Sequence, residues 1–491
     1  MLYIILFYFF IERKSNGIPT YQTEFGMLEI KKECTGCMAC VNGCPIGAIN
    51  IKKDEFGFAM PEIDIEACVD CGQCELVCPI NGLPEGREKE EAILSGKWKS
   101  EPKPIAAWSM FHMDEKVVEK SSSGGAFYAL AEAVLEGGMS GNHTVKSQND
   151  YDISTVCGRT AQNDEHKVCD NSDQSIDADI VCDKTSHQTG IVFGCMYDIS
   201  SRSAYLTDTD HVSLDSLLTS KYVESYISED GLRRIKSEVE TGRQVLFCGT
   251  PCQAAGLRSF LGRDYDNLLI VDFACGGVAA QPYLSDYISS LEAEHGSQVI
   301  RISFRDKHYG WGQYCFLAEF EDGSIYRKTA MSDPYFFSFL RSSMQRLSCH
   351  GCHFSDAHRS DICLSDFWRC DFFDVERNDR RGLSMALAFT EKGQRALEEL
   401  KNVMHMDMLP LDGASYHLKS RFCPESKLEE IYRDMGIAIN SGVKVLRESL
   451  LSEEELESYE RRQQIMDDEN ERHLHPEIVG NGQIVPKPVS E

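Results

Sequence analysis

"CTGCMACVNGCP" spans Cys34–Pro45, and "CVDCGQCELVCP" repeats its spacing at Cys68–Pro79. Each block reads C-x2-C-x2-C-x3-C-P. Three closely spaced cysteines let one loop wrap a cube of iron and sulfide, while the fourth, ahead of proline, crosses to the other cluster. The spacing therefore predicts one 4Fe-4S cluster on Cys34, Cys37, Cys40 and Cys78, and a second on Cys68, Cys71, Cys74 and Cys44. Thiolates are soft, anionic ligands that suit iron, and each proline fixes φ where its ligand loop ends. Zinc knuckles or a disulfide frame are the competing readings, and the duplicated eight-cysteine spacing is more specific than either.

This segment resembles bacterial two-cluster ferredoxins over residues 27–83. Its separator, "IKKDEFGFAMPEID", is similar to what such ferredoxins place between their two pseudo-symmetric halves.

The chain has 491 residues, enough for about three domains. Its hydrophobic fraction of 42% supports a buried core, and its formal net charge of −28 argues against a nucleic-acid partner. The 21 cysteines would suit a secreted disulfide protein. Oxygen-sensitive clusters need reduced thiols instead, so a reducing cytoplasm is expected. Residues 1–26 form an apolar N-terminal extension. Its run, "MLYIILFYFFI", is shorter than the roughly twenty residues a span needs, and it lacks a signal-peptide pattern. It reads as lying upstream of a natural start at Met27, with a peripheral membrane contact as the alternative. No transmembrane span is expected.

Residues 84–104 are polar and proline-flanked, and read as a linker. "IAAWSM" (Ile105–Met110) then reads as a strand. In "VVEKSSSGGAFYALAEAVLEGG", Phe127, Leu130, Ala131, Val134 and Leu135 recur at helical spacing. Ser121–Ser123 stand where caps belong, and Gly137–Gly138 end the helix. Residues 139–190 turn polar and lose periodicity, so they read as an insertion holding Cys157, Cys169 and Cys182. "IVFGCMYD" resumes as a strand. "QVLFCG", "TPCQAAGLRSFLG" and "NLLIVDFACGG" alternate strand, helix and strand, which points to an α/β core. "SQVIRISFRDK" and "QYCFLAEFEDGSIYRK" read as strands. Residues 401–491 read as a helical region ending in a disordered tail.

Four further cysteines stand in telling places. Cys252 lies in "GTPCQ" and Cys275 in "DFACGG", both at strand ends, where α/β sheets collect ligands. Cys349 and Cys352 form a C-x2-C pair in "RLSCHGCHFSD". The residues alone leave three readings open: a third 4Fe-4S cluster, a zinc site, or buried inert thiols. His350, His353 and His358 nearby could serve a zinc site or, as the blander reading, lie at the surface; Cys248 reads as core, and Cys363 and Cys370 have no evident partner.

"SSSGGAF", "SKYVESY", "VLFCGTPCQAAGLRSFL", "LLIVDFACGG", "SFRDKHYGWG" and "LSCHGCHFSDAHRSDICLSDFW", in this order, resemble the coenzyme F420 hydrogenase/dehydrogenase beta-subunit family. The resemblance covers residues 105–400 outside the insertion. It implies FAD, iron–sulfur clusters and, at Cys252, Cys275, Cys349 and Cys352, a third cluster. "SSSGGAF" opening a helix then reads as a diphosphate cradle through Ser122, Ser123, Gly124 and Gly125, since small residues admit close approach and a helix N-terminus favours anions. Gly249, Thr250 and Pro251 offer a second backbone turn. Lys221 and Tyr222 are candidates for the phosphate or the isoalloxazine ring, or for a surface strand end. Arg305, Asp306, Lys307 and Trp311 form either an anion-receiving patch or, on balance, a solvated loop with one packed tryptophan. The chain departs from the family pattern where glycine is usual at Ser365 and Arg369, and where His-Gly is usual at Gly276–Gly277.

The expected protein is α/β (α+β): a small two-cluster ferredoxin domain followed by an α/β flavin domain with a mixed sheet. The expected function is oxidoreduction through FAD between the clusters and a hydride-carrying small molecule, F420 or an analogue, with a ferredoxin, hydrogenase or biosynthetic reductase as redox partner. The alternative is an electron relay with no substrate site of its own. No P-loop, HExxH or serine elbow is present, and no acid–base catalyst is evident.

Overall fold

A computed structural model describes residues 33–81, 102–138, 189–368, 381–414 and 427–474, with a few isolated positions between and beyond them. The apolar extension at 1–26, most of the linker, the insertion up to residue 188 with its three cysteines, and most of the tail lie outside the described residues.

Strands β1 (Ile49–Lys53) and β2 (Ala59–Ile63) form an antiparallel ribbon joining the two cysteine blocks. The main sheet has nine strands: β3 (Ala106–His112), β4 (Gly190–Asp198), β5 (Ser203–Asp208), β6 (Ser225–Tyr226), β7 (Gln244–Cys248), β8 (Leu268–Phe273), β12 (Ile362–Asp366), β13 (Ser384–Ala388) and β14 (Met404–Met408). Their order is β14-β3-β13-β12-β8-β7-β4-β5-β6. The centre, β12-β8-β7-β4, is parallel, while β14, β3, β13 and β12 pair antiparallel. The sheet is therefore mixed. β14 pairs with β3, so it extends past residue 400, where the sequence suggested a boundary. Strands β9 (Val299–Asp306), β10 (Cys315–Phe320) and β11 (Ile325–Thr329) make a separate antiparallel sheet.

The parallel centre is apolar on both faces, as a sheet covered by helices on each side requires. Leu246, Leu269, Val271 and Ile362 face the helix Ala126–Leu135 and the helix Glu391–Glu398. Val245, Phe247, Leu268 and Ile270 face the helices Gly231–Glu240 and Pro251–Leu261, and on these helices sits the two-block segment through Met38, Ala39 and Val41. Gly256 allows the close approach: a Cβ there would stand 2.9 Å from the Cys37 sulfur. Asn42 locks the seat. Its Oδ1 accepts from Leu232 N (3.0 Å) and Arg233 N (3.4 Å), capping a helix whose own N-cap, Asp230, makes no side-chain capping bond. Arg233 answers with bonds to the Asn42 and Cys44 carbonyls, both 2.7 Å.

The predicted cap serines do not cap. The chain forms a first helix, Glu115–Lys120, breaks at Ser121–Gly125, and starts again with Gly125 as N-cap at φ 90°. No helix among the described residues is long and apolar enough to cross a membrane.

Candidate functional site

The two cysteine blocks use the same backbone device. In the first, Gly36 (φ 68°) and Met38 (φ 59°) are left-handed; in the second, Asp70 (φ 52°) and Gly72 (φ 68°) occupy the equivalent positions. Left-handed residues on both sides of the middle cysteine turn the loop so that successive thiols face one point. The consequence is two groups of four. Cys44, Cys68, Cys71 and Cys74 line one cavity of about 380 Å³. Cys34, Cys37, Cys40 and Cys78 lie within electrostatic reach of one another. Burial pushes the thiols of Cys34, Cys37 and Cys40 up, so as free thiols they would remain protonated. A bound metal ion reverses that balance. Amide donors also reach the sulfurs: Ala48 N to Cys44 (3.2 Å) and Asp70 N to Cys68 (3.4 Å). This donor set fits 4Fe-4S clusters. Cys71 is exposed, whereas Cys37 and Cys40 are buried, so the second group stands nearer the surface.

A third cavity, of about 590 Å³, is lined by Cys252, Cys275, Cys349 and Cys352. The four come from three places. Cys252 follows β7 in the first turn of its helix, which Thr250 caps. Cys275 follows β8, and Cys349 and Cys352 lie in and after the short helix Leu347–His350. Their sulfurs likewise receive donors: Gly277 N to Cys275 (3.3 Å), Phe354 N to Cys352 (3.4 Å), and the Thr250 hydroxyl beside Cys252 (3.1 Å). Burial pushes the Cys349 thiol up to about 12. Thr35 and Gly36, from the first block, complete the wall.

Next to it opens a larger cleft enclosing about 1350 Å³, at the carboxyl ends of β7, β8 and β12. Cys275, Thr250 and Gln253 line both chambers. Of the predicted cofactor contacts, Ser122, Ser123, Gly125, Lys221, Tyr222, Gly249 and Thr250 line the cleft. Gly124 lies behind it, where a Cβ would stand 2.4 Å from the Met110 carbonyl oxygen. Pro251 faces the four-cysteine cavity instead. The serine hydroxyls are engaged: Ser122 Oγ accepts from Ser220 N (2.8 Å), and Ser123 Oγ donates to Leu383 O (2.7 Å). Lys221 is no surface residue. It is half-buried in the cleft wall, donates to the Leu218 carbonyl, and desolvation pushes its ammonium down to about 8.

Of the patch read as a solvated loop, Arg305 and Trp311 are buried and Asp306 and Lys307 half-buried. Arg305 forms a two-bond ion pair with Asp366 (2.7 and 3.0 Å) and donates to the Ser122 carbonyl (3.1 Å). Its guanidinium stacks on Tyr314, 4.3 Å from the ring centre. Trp311 Nε1 donates to Asp366 (3.0 Å) and stacks on Trp368. Lys307 Nζ donates to the Val118 and Ser123 carbonyls, so two cations hold the Ser122–Ser123 turn from behind, while Asp306 pairs with Arg327.

The histidines also differ from expectation. His353 and His358 are buried. His358 Nδ1 bonds the Asp272 carboxylate at 2.8 and 2.9 Å, with Cys363 beside them. Asp272, Asp366, Cys195 and Cys248 are cleft-wall residues that sequence reasoning missed; the one usable signal was position, since three of them end strands of the parallel centre.

Residues 242–412 match the family described as the C terminus of the beta subunit of coenzyme F420 hydrogenase/dehydrogenase, and residues 33–81 match a 4Fe-4S dicluster domain. The chain is 33% identical over 73 residues to the 7Fe ferredoxin of Hydrogenibacillus schlegelii, covering 14% of this chain and 81% of that protein. It is 39% identical over 56 residues to a ferredoxin of Alicyclobacillus acidocaldarius subsp. acidocaldarius, 11% of this chain and 65% of that one. It is also similar to a chain in the xenon-derivatized F420-reducing NiFe hydrogenase complex from Methanosarcina barkeri, at 13% identity and a TM-score of 0.36, covering 74% of this chain and 94% of that one. An electron-transferring, iron–sulfur oxidoreductase is the class these matches indicate. Residues 242–412 therefore carry the C-terminal domain of the coenzyme F420 hydrogenase/dehydrogenase beta subunit, with a 4Fe-4S dicluster domain ahead of it in the chain.

Proposed function

We propose that the protein passes electrons along three 4Fe-4S clusters to FAD held in the large cleft, where a hydride-carrying small molecule, F420 or an analogue, exchanges two electrons at once. The observation that carries this reading is the shared wall. Cys275 lines both the four-cysteine cavity and the cleft, and Cys252 lies within electrostatic reach of Cys34 and Cys37. The helix Ala39–Gly43 carries Cys40 of the first group and leads into Cys44 of the second, so the groups follow one another from exposed Cys71 towards the cleft. A flavin exchanges hydrides with two-electron carriers and single electrons with clusters, which is the conversion such an arrangement needs.

The chain's own residues bind and position. The N–H groups at the start of the helix Ala126–Leu135, with its positive dipole end, would take the diphosphate. Lys221 would regain its full positive charge beside an anion. Arg305 and Lys307 fix the turn, and the cleft walls exclude water. Redox partner proteins would meet the surface near Cys71. A reducing, cytoplasmic setting suits exposed thiolate-bound iron.

Anaerobic reconstitution followed by iron and flavin analysis tests the reading. The expected result is about twelve irons and one FAD per chain, falling to about eight irons in Cys252→Ala. Cys252→Ala retaining all its iron would refute the third cluster. A chain that binds no flavin would leave an electron relay without its own substrate site.

A further inference from the structure

Between the first block and the four-cysteine cavity lies a buried ion pair that neither ligand set uses. Arg346 stands three residues ahead of Cys349, held by its own amide to Val278 O (2.9 Å) and by its carbonyl to Cys349 N (2.9 Å). Its side chain crosses into the two-block segment. Nη2 donates to the Ala59 carbonyl (3.1 Å), Nη1 meets the Met60 sulfur (2.9 Å), and the guanidinium lies 4.9 Å from the Phe58 ring centre. Nη2 also pairs with Glu224, whose carboxylate accepts from Ala59 N (3.1 and 3.2 Å). The pair therefore takes both the N–H and the C=O of one residue, as a neighbouring strand would. Gly36, between Cys34 and Cys37, leaves room for this contact: a Cβ there would stand 2.7 Å from Nη2.

A buried ion pair is weak as a source of stability, since desolvation consumes much of its attraction. Its placement suggests another use. We propose that Arg346 is a positioning residue for the electron step between the first cluster and the third, its guanidinium acting as the fixed cation shared by both. This rests on the third-cluster reading above.

The physical argument is one of charge. A 4Fe-4S cluster on four thiolates is anionic, and each added electron increases that charge. A cation fixed in a medium of low dielectric favours the reduced form of any cluster beside it. Arg346 touches both ligand sets: Nη2 lies against Gly36, between Cys34 and Cys37, and its carbonyl accepts from the amide of Cys349. Glu224 acts in the opposite sense, and exposed Lys53, 3.7 Å from it, is screened by solvent. In the step itself one electron leaves the reduced cluster on one side and enters the oxidised cluster on the other; no bond or proton changes place. Keeping both potentials raised together keeps that step close to level.

The test is an anaerobic redox titration of the loaded full chain followed by electron paramagnetic resonance, with the second cluster assigned through Cys71→Ser and used as an internal standard. Arg346→Gln is expected to lower the midpoints of the first and third clusters by the equivalent of tenfold or more in their reduction equilibria, about 59 mV for one electron. The second cluster should not move. Arg346→Lys should restore much of the shift, and Glu224→Gln should shift both midpoints upward. Unchanged midpoints in Arg346→Gln with its iron retained would overturn the proposal. If Arg346→Gln loses a cluster, Glu224→Gln decides alone: an upward shift supports the proposal and no shift overturns it. A wild-type chain holding about eight irons would refute the third cluster separately, and Arg346 would then stand or fall on the first cluster.

Discussion

Arg305 and Asp366, 61 residues apart, close a two-bond ion pair behind the cleft, and Trp311 donates a third bond to the same carboxylate. Removing one partner strands the other without compensation. Asp366→Asn is expected to lower stability by about 3–5 kcal/mol, read as a fall in the denaturant midpoint. Flavin retention should fall with it, because Arg305 also holds the Ser122 carbonyl. Stability unchanged in Asp366→Asn would mean that the pair is better solvated than its burial indicates.

Gly124 has no room for a methyl group. A Cβ would meet the Met110 carbonyl oxygen at 2.4 Å and Ser384 N at 2.7 Å, both backbone atoms that cannot turn aside. Gly124→Ala should therefore displace the turn that starts the cleft helix, at a cost of about 1–3 kcal/mol. Equilibrium dialysis with FAD should show weaker binding. Gly436→Ala, away from the cleft, serves as the control, since a Cβ there meets nothing within 4 Å.

Lys221 gives the protein a pH signature. An unfolded lysine titrates near about 10.4, whereas burial holds Lys221 down to about 8. Between these values the unfolded chain binds the extra proton, so stability should rise with pH through that window and be lost as pH falls through about 8. The full gain is on the order of 3 kcal/mol. Denaturation of the flavin-free protein at stepped pH should show the rise in the wild type and not in Lys221→Met. With FAD bound, the diphosphate would hold Lys221 charged, and the rise should shrink.

The eight cysteines of the two blocks were legible because their spacing is local: each loop carries three thiols within seven residues, and its shape follows from a few backbone angles. The cavity of Cys252, Cys275, Cys349 and Cys352 was less legible. Its geometry is created by β7 lying beside β8 and by a loop from residue 349, none of which spacing records. The α/β alternation gave the parallel centre, but the pairing of β14 with β3 was invisible, because an edge strand of five residues carries little periodicity. Arg305 misleads for a similar reason. Charge in a sequence suggests solvent, and the counter-charge that buries this one comes from Asp366 on another strand. His358 reads as a surface residue because nothing near it in sequence announces Asp272.

Loss of Asn42 should be felt across the molecule. Asn42→Ala removes the acceptor for Leu232 N, which is buried, at a cost of about 1–3 kcal/mol. Hydrogen exchange should speed up in the first turn of the helix Gly231–Glu240 and leave the helix Gln281–His295 unchanged. Equal protection in both would show that solvent replaces the cap.

That borrowed cap ties metal supply to quality control. Asn42 stands between Cys40 and Cys44, one thiol from each group of four, so the loop that would hold the metal is the loop that completes a helix 190 residues further on. Iron bound on either side of Asn42 would hold that cap and the apolar seat around Met38, Ala39 and Val41 in place, so a chain without iron is expected to open there first. In a starved cell such chains would be the ones that proteases and chaperones recognise, and cofactor loading would decide which copies survive.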